Sequence, residues 1–285
     1  MPELPEVHTI AKDLNDAIMG FSVKKCVISS GYKTQPNNAV FIKAIEGSKI
    51  TKVQRIAKNI LIHLENGAVI HFHLAMTGQI LLKTQKLAKK SNQNWQRILL
   101  ELEKNGGKKF LIFNDMRMFG KAAVLKHTDL KALQQKYGPE PIDSEMQPEK
   151  LWEVIRSKKT TIKNALLNQS LIAGLGNIYA TEALFLAGIH PETPTDKISL
   201  ENMKKLINAA KTVLEEGITH RGSTLPDKMY MDIFGNSGHY QEHFKIYLQT
   251  VCPKCGNKVA FKKINGRGTY FCPICQPINQ QKGLF

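Results

Sequence analysis

The first residues of the chain combine an amine that could act as a nucleophile with two carboxylates. Pro2 is followed directly by Glu3 and, three residues later, by Glu6. If the initiator methionine is removed, which a small second residue permits, the chain begins with a secondary amine whose pKa lies near ~8. A neutral amine of this kind can attack an electrophilic carbon and form an iminium ion. The pattern predicts covalent chemistry at Pro2, with an ordinary solvated start as the alternative.

The composition indicates a polyanionic partner. Lys and Arg number 40 against 24 Asp and Glu, giving a formal net charge of +16 and a pI near 9.6. Nucleic acid is the leading candidate, and an anionic membrane surface is the rival. The sequence has no long basic amphipathic helix, no uninterrupted apolar run of about 18 residues and no signal-peptide pattern. We therefore expect a cytoplasmic, nucleoid-associated protein that does not bind membranes.

Four of the five cysteines form two pairs near the end of the sequence: Cys252, Cys255, Cys272 and Cys275. The sixteen residues between the pairs match a four-thiolate, tetrahedral zinc site, and a cytosolic location disfavours disulfides. Between the pairs, Asn265 and Gly266 are typical of a type I′ β-hairpin. Arg267 would follow the tight turn, where it could enter a groove or bind phosphate.

The first half of the chain has the pattern of an antiparallel β-sandwich or barrel. After a helix at residues 9–19, short apolar runs are split by Gly, Asn and Lys; they cover residues 23–29, 50–64, 68–74, 80–82, 98–102 and 110–113. Cys26 lies in the first run and is interpreted as a core residue. The polar, basic segment 85–96 is expected to form an exposed loop.

The second half has helical periodicity. Helices are predicted at residues 129–137, 148–156, 165–169 and 200–216, with one more after the glycine-rich turn at 174–177. Residues 138–141 are interpreted as a linker. Backbone N–H groups at the turn could face a phosphate, with the lysines of 158–163 on the same side, and a helical hairpin used only for packing is the alternative. Residues 221–225 and 234–240 are predicted to form a mobile loop.

Three places in the β-rich half could contact a duplex. Lys58 interrupts an apolar run, and Met76 is at the tip of a predicted glycine turn. Arg117 and Phe119 are two residues apart and hence on the same side of an extended segment. Separately, each is most simply an edge, core or turn residue. Together, Met, Arg and Phe at loop tips of a basic protein suggest side chains that wedge into a duplex and fill the space left by an extruded base.

In this order, the motifs resemble the bacterial formamidopyrimidine-DNA glycosylase family, whose relatives include endonuclease VIII. The resemblance covers nearly the whole chain. It rests on the opening Pro-Glu-Leu-Pro-Glu-Val, on Lys58, on the Met76 turn and on four further stretches, at 115–120, 174–182, 222–225 and 267–276.

The resemblance implies an α+β multidomain protein. It would have an N-terminal antiparallel β-sandwich with a leading helix, a helix-two-turn-helix domain and a C-terminal four-cysteine zinc finger. We expect the catalytic domain at residues 1–126, a linker at 127–141, the helix-two-turn-helix domain at 142–240 and the zinc finger at 241–285. The expected enzyme is a monomeric glycosylase and abasic-site lyase with one structural Zn²⁺. It would remove oxidised purines, such as 8-oxoguanine and formamidopyrimidines, from damaged double-stranded DNA in base-excision repair.

The resemblance also implies roles for individual residues. Pro2 attacks C1′ of the damaged nucleoside, Glu3 donates a proton to the sugar or base, and Glu6 supports the site. Lys58 assists β-elimination and binds phosphate, and Arg267 binds DNA and is linked to the final elimination. The gap in the helix would be filled by Met76, Arg117 and Phe119. The DNA backbone would be held by Lys158, Lys163 and Asn177.

Several positions depart from the family pattern. His8 stands where an acidic residue is usual, Asn168 stands where Asp is common, and a DNA-contacting histidine is missing near Asn92 and Asn94. These departures bear on DNA affinity and lesion preference more than on the chemistry. Leu4 favours the formamidopyrimidine branch over endonuclease VIII, where glycine is typical. Two rival functions remain: an endonuclease VIII-like glycosylase for oxidised pyrimidines, and a non-catalytic protein that binds damaged DNA.

Overall fold

The computed structural model of the chain describes residues 2–84 and 95–278. The chain divides into two compact units, Met1–Gln135 with Ile218–Gln241 and Lys136–Gly217 with Glu242–Phe285. The segment expected to be an exposed loop, including Asn92 and Asn94, lies outside the described residues except for its last two positions.

The first unit contains two four-stranded antiparallel sheets. One has the strand order β1 (Ser22–Ile28), β6 (Gln96–Lys104), β7 (Gly107–Asp115) and β5 (Gly78–Lys83). The other has the order β2 (Ile50–Ile56), β3 (Asn59–Leu64), β4 (Ala68–His73) and β8 (Lys121–Lys126). Both sheets contribute to one buried cluster, for example through Leu100 and Phe113 from the first sheet and Ile62 and Phe72 from the second. The predicted β-sandwich is confirmed.

The leading helix α1 spans Leu4–Ile18 and begins earlier than predicted. Pro5 lies in its first turn, where backbone N–H groups have no intrahelical partner, so a proline costs nothing there. The buried face of the helix, which includes Ile10 and Leu14, packs into the sandwich core. Because the helix starts early, Glu3 is its N-cap and Glu6 lies in its first turn.

The first unit also contains two short helices. Helix α2 spans Asn38–Ile45 and was not predicted. Its N-terminus is fixed by the Asn37 side chain, which accepts the Val40 N–H at 2.9 Å. Helix α3 spans Asp129–Gln134, within the predicted 129–137.

Four α-helices lie in the second unit among its described residues, although the last two residues of the fourth are assigned to the first unit: α4 (Pro148–Arg156), α5 (Ile162–Leu167), α6 (Asn177–Ala187) and α7 (Leu200–Thr219). The predicted helix at 148–156 coincides with α4. The next one begins at Ile162, three residues early, because the Thr161 side chain caps it by accepting the Asn164 N–H. Helix α6 ends at Ala187 and is capped by Gly188, whose φ of +71° is left-handed.

The C-terminal part of the second unit is a hairpin of β9 (Ala260–Ile264) and β10 (Arg267–Phe271). Asn265 and Gly266 have φ values of 46° and 74°, the left-handed pair that a type I′ turn requires. The predicted hairpin is confirmed, and Arg267 is its first residue after the turn. Within the described residues, no helix combines the length and apolar character needed to cross a bilayer.

Candidate active site and nucleic-acid interface

The start of the chain places two buried carboxylates beside Pro2. Glu3 and Glu6 are each 2% exposed and form a reciprocal capping box at the start of α1. The Glu3 N–H donates to Glu6 Oε2 at 2.7 Å, which fixes the backbone directly after Pro2. Because little water screens these groups, their interaction with a cation formed on Pro2 would be stronger than at a solvated terminus.

The other carboxylate oxygen of Glu6 is held by a segment that lies far away in the sequence. The Ser223 N–H donates to Glu6 Oε1 at 2.8 Å. A Cβ on Gly222 would lie 2.7 Å from Glu6 Cγ, and φ there is +80°, so only glycine fits. The glycine content of this segment predicted a mobile loop. In the structure, residues 221–225 and 234–240 are joined by hydrogen bonds, one of them from the Gly238 N–H to Thr224 Oγ1 at 2.8 Å.

Lys58 lies in the turn between β2 and β3 and not within a strand. Ala57 has a φ of 51°, and Arg55 Nη1 donates to the Ala57 carbonyl at 2.7 Å, so the apolar run predicted as one strand breaks there. Lys58 is 7% exposed, unlike an edge lysine that extends into solvent. Burial, followed by the charges of Lys58 and Lys121, holds the pKa of His73 below its usual range. Cations gathered in this way favour an anion such as phosphate.

The turn that carries Met76 contacts the loop that carries Arg117. Arg117 Nη1 lies 3.9 Å from Met76 Sδ. Met76 is 44% exposed and Phe119 is 59% exposed, so the predicted loop-tip placement is confirmed. The extended geometry predicted for residues 115–120 is wrong, because Met118 has a left-handed φ of 56° and the segment bends. The three side chains nevertheless lie on two adjacent loops.

In the second unit, Lys163 and Asn177 contact the hairpin that carries Arg267. Lys163 Nζ donates to Thr269 Oγ1 at 2.6 Å, and Thr269 Oγ1 donates to the Arg267 carbonyl at 3.0 Å. Asn177 Nδ2 donates to the Gly268 carbonyl at 2.9 Å. The base of the hairpin is thus held by side chains from α5 and α6, while Arg267 itself is exposed.

This placement corrects one expectation. Lys163 is fully buried, so its side chain supports the hairpin and does not present a charge to a DNA backbone. The reason is that Lys163 Nζ donates to two buried hydroxyl groups, Thr181 Oγ1 at 3.1 Å and Thr269 Oγ1 at 2.6 Å. Lys158 is exposed, as phosphate binding requires. The Gly174 N–H donates to Gln169 Oε1 at 3.1 Å and is therefore not available to a phosphate.

The four paired cysteines form one compact cluster, with all sulfurs within 4.8 Å of one another. Sγ of Cys252 and Cys275 are 3.8 Å apart, and Sγ of Cys255 and Cys272 are 3.5 Å apart. A tetrahedral zinc ion with Zn–S bonds of about 2.3 Å needs S···S separations of about 3.8 Å. Asn257 Nδ2 donates to Cys255 Sγ at 3.3 Å, which suits a thiolate. The donor set and its geometry fit a structural zinc ion.

Comparison with known proteins decides the family. The model of the formamidopyrimidine-DNA glycosylase N-terminal domain matches residues 1–122, that of the formamidopyrimidine-DNA glycosylase H2TH domain matches 137–228, and that of a zinc finger found in FPG and IleRS matches 251–278. The chain belongs to the formamidopyrimidine-DNA glycosylase family.

Relatives and solved structures agree over the full length. Formamidopyrimidine-DNA glycosylase of Chloroflexus aurantiacus is 38% identical over 284 residues, 99% of each chain, and that of Thermomicrobium roseum is 34% identical, covering 98% of this chain and 100% of the relative. The Lactococcus lactis Fpg in complex with abasic-site DNA has a TM-score of 0.88 at 28% identity, covering 97% of this chain and 100% of that one. MutM (FPG) of Thermus thermophilus has a TM-score of 0.85 at 32% identity, with 97% and 99% covered.

The predicted family and fold class are therefore confirmed, and with them the class of enzyme, a DNA glycosylase and abasic-site lyase of base-excision repair. The structure groups the predicted residues of this chain by unit. The first unit holds Pro2, Glu3, Glu6, Lys58, Met76, Arg117 and Phe119. The second holds Lys158, Lys163, Asn177, Arg267 and the paired cysteines.

Asp115 is a site residue whose role the sequence pattern did not assign. It is fully buried, and its Oδ2 accepts the Gly120 N–H at 2.6 Å while Oδ1 accepts the Thr77 hydroxyl. Thr77 Oγ1 in turn accepts the Arg117 N–H at 3.1 Å. Asp115 therefore joins the Met76 turn to the Arg117 loop. The sequence signal for this role is the acidic residue Asp115 and Gly120 on either side of the exposed residues 116–119.

Replacing Asp115 with alanine is expected to weaken binding of lesion DNA. The change leaves the Gly120 N–H and the Thr77 hydroxyl without their acceptor, at a cost of about 1–3 kcal/mol of unfolding free energy, and it releases the loop that carries Phe119. D115N is the control, because its amide can accept from Gly120 and donate to Thr77. Kd for a duplex with an uncleavable abasic analogue, together with thermal unfolding, checks this. Equal affinity of D115A and the parent would contradict the assigned role.

Proposed function

We propose that this chain excises oxidised purines, 8-oxoguanine and formamidopyrimidines, from duplex DNA and cleaves the resulting abasic site by β,δ-elimination. The observation that carries the proposal is the contact between the Glu3 N–H and Glu6 Oε2 at 2.7 Å, which sets two buried carboxylates beside Pro2. Among the similar structures, one is of MutM in complex with DNA that contains carbocyclic 8-oxo-G. That neighbour supports a purine lesion as the substrate.

Base excision begins with attack of the Pro2 nitrogen on C1′ of the extruded nucleotide. A bond forms between this nitrogen and C1′ while the C1′–N9 bond breaks, and the electron pair of that bond leaves with the base. The base gains a proton, and the Pro2 nitrogen, now tertiary, loses one. Opening of the C1′–O4′ bond then converts the adduct into an iminium, with Glu3 donating the proton to the sugar oxygen. Glu6 holds the Glu3 backbone, and both carboxylates offset the positive charge that develops on the amine.

Strand cleavage uses the same covalent adduct. The iminium withdraws electrons and acidifies the C2′ proton; loss of that proton expels the 3′ phosphate, and a second elimination expels the 5′ phosphate. Lys58 assists the first elimination and binds phosphate, which its place among cations supports. Arg267 binds DNA and assists the second. Hydrolysis of the remaining iminium, in which water adds to C1′ and the C1′–N bond breaks, frees Pro2 for another turnover.

The proposed DNA interface consists mainly of exposed side chains. Met76, Arg117 and Phe119 fill the space that the extruded nucleotide leaves, since all three are exposed on adjoining loops. Lys158 contacts the DNA backbone. Asn177 also contacts the DNA backbone, and it orients the hairpin by donating to the Gly268 carbonyl. Lys163 contributes indirectly, by holding the hairpin of Arg267.

We further propose that the metal is one Zn²⁺, bound by the four paired cysteines, and that the enzyme is a cytoplasmic, nucleoid-associated monomer. When bound, the ion would stabilise the fold of the segment between the cysteine pairs, and it would take no part in bond breaking. The proposed domain division remains a catalytic domain at 1–126, a linker at 127–141, a helix-two-turn-helix domain at 142–240 and a zinc finger at 241–285.

The substrate class is tested with matched duplexes that each contain one lesion. Single-turnover excision of 8-oxoguanine and of a formamidopyrimidine is expected to exceed that of thymine glycol and 5-hydroxycytosine by about ten-fold or more. The reverse order would establish an endonuclease VIII-like enzyme. Binding without release of any base would establish a non-catalytic damage-binding protein.

A further inference from the structure

Arg221 links helix α1 to the loop at residues 221–240, which contacts Glu6. Arg221 begins this loop, and its side chain also binds Asp232, in the second half of the loop. It lies two residues after α7, at a left-handed φ of 59°. Its guanidinium binds Asp13 of α1 through Nη1, at 3.3 Å, and through Nη2. Nη2 also donates to Asp232 Oδ2 at 2.8 Å. One planar cation therefore bridges two carboxylates from separate parts of the first unit, the geometry for which arginine is suited.

The two carboxylates are well placed for this contact. The Asp13 side chain is 12% exposed and that of Asp232 is 3% exposed, while Arg221 is 43% exposed. Asp232 also accepts the backbone N–H groups of Phe234 at 3.0 Å and Asn236 at 2.8 Å. Asp232 thus fixes the backbone of residues 232–236, and its contact with Arg221 links this part of the loop to α1. Because these ion pairs are partly shielded from water, each contributes more to stability than a fully exposed ion pair does.

The backbone that follows Arg221 leads directly to the carboxylate of Glu6. The Arg221 carbonyl accepts the Tyr230 hydroxyl at 2.7 Å. The next two residues are Gly222, which contacts the Glu6 side chain, and Ser223, whose N–H donates to Glu6 Oε1 at 2.8 Å. Since Glu6 Oε2 accepts the Glu3 N–H, a continuous path of contacts runs from the guanidinium to the residue after Pro2.

We propose that Arg221, with Asp13 and Asp232, is a positioning residue that holds Glu6, and through it the Pro2–Glu3 segment, in the geometry for attack on C1′. The inference rests on the proposed function, because it concerns the same covalent step. Arg221 does not touch the reacting atoms; it limits the positions that Glu6 can take. Misplacement of a reacting group by about 1 Å can cost about 100-fold in rate, which is the scale of effect to be expected.

The test separates attack from binding. For R221Q, the single-turnover rate of borohydride-trapped adduct on a duplex with a preformed abasic site, at saturating DNA, is expected to fall about 10- to 100-fold. Kd for the uncleavable analogue should change by less than about three-fold. R221K should recover part of the rate, because lysine can bind one carboxylate but not span both. K24Q, which removes an exposed cation paired with Glu103, is the matched control and should leave the rate unchanged.

A double-mutant cycle gives the second arm. D13N, which keeps the contact between Arg221 and Asp232, should slow adduct formation in the same direction, and R221Q/D13N should be less impaired than the product of the two single effects. If R221Q does not fold, D13N alone carries the test. An unchanged rate at saturation with a weaker, less salt-dependent Kd would overturn the inference and make Arg221 a phosphate contact. Absence of any adduct in the parent would refute the proposed function instead.

Discussion

Glu3→Gln is expected to abolish base excision. Glutamine keeps the size of the side chain and the backbone N–H that donates to Glu6, but it has no proton to give to the departing base or the opening sugar. Loss of a positioned general acid costs about 100- to 10,000-fold in rate. The measurement is single-turnover release of 8-oxoguanine from a duplex, with unfolding followed in parallel. The capping box retains its acceptors, so the unfolding free energy should change by less than about 1 kcal/mol.

The matched control is Glu101→Gln, on the surface of the same unit. Glu101 accepts from Lys108 at 2.7 Å in an exposed ion pair, which contributes little to stability. Its replacement should leave excision at the parent rate. Full excision by the Glu3 variant would remove the proposed proton donor from the mechanism, whereas equal losses in both variants would indicate a general effect of lost charge.

Cys272→Ser is expected to lose the metal and, with it, DNA incision. Binding of a structural zinc ion by thiolates is worth about 10–16 kcal/mol near neutral pH. Among the described residues, the segment that carries the cysteine pairs contacts α6 through a small apolar cluster that includes Phe185, Val259 and Cys272. So small a cluster contributes little to holding Arg267 in place without the ion. Metal analysis should give one zinc per chain for the parent and none for the variant, and incision should fall at least about 100-fold.

Cys26→Ala provides the control for this change. Cys26 is a buried cysteine of β1, in the other unit, and is 6% exposed. Burial, and then the charge of Glu46, raises the pKa of its thiol to about 12, so it is neither a thiolate nor a ligand at neutral pH. Zinc content and incision should remain at the parent level. A Cys272 variant that still holds stoichiometric zinc, or cleaves normally, would contradict the assigned ligand set.

The sequence predicted the features that depend on local chemistry. Cysteine spacing defined the metal site, Asn265 and Gly266 defined the turn before Arg267, and short apolar runs split by Gly, Asn and Lys defined the sandwich. Each of these follows from rules that act over a few residues. The resemblance then supplied the order of the motifs, which the family comparison confirmed.

The missed features depend on contacts between distant residues. The inward direction of Lys163 is fixed by Thr269, 106 positions later, and no local pattern contains that information. Arg221 meets Asp13 across 208 positions. The bend at Met118 follows from the buried carboxylate of Asp115, which pulls the Gly120 N–H inward. Helix α1 begins five residues before the predicted start at residue 9, because Pro5 lies in the first turn, where a proline fits a helix.

The claim on which the account depends is that Pro2 provides a free secondary amine. Borohydride reduction of the enzyme with an abasic-site duplex, followed by mass analysis of the intact protein and of its peptides, tests this directly. We expect a chain that begins at Pro2 and a single covalent adduct on the nitrogen of that residue. An adduct on a lysine, or normal cleavage by a chain that retains Met1 or is acetylated at its start, would contradict it.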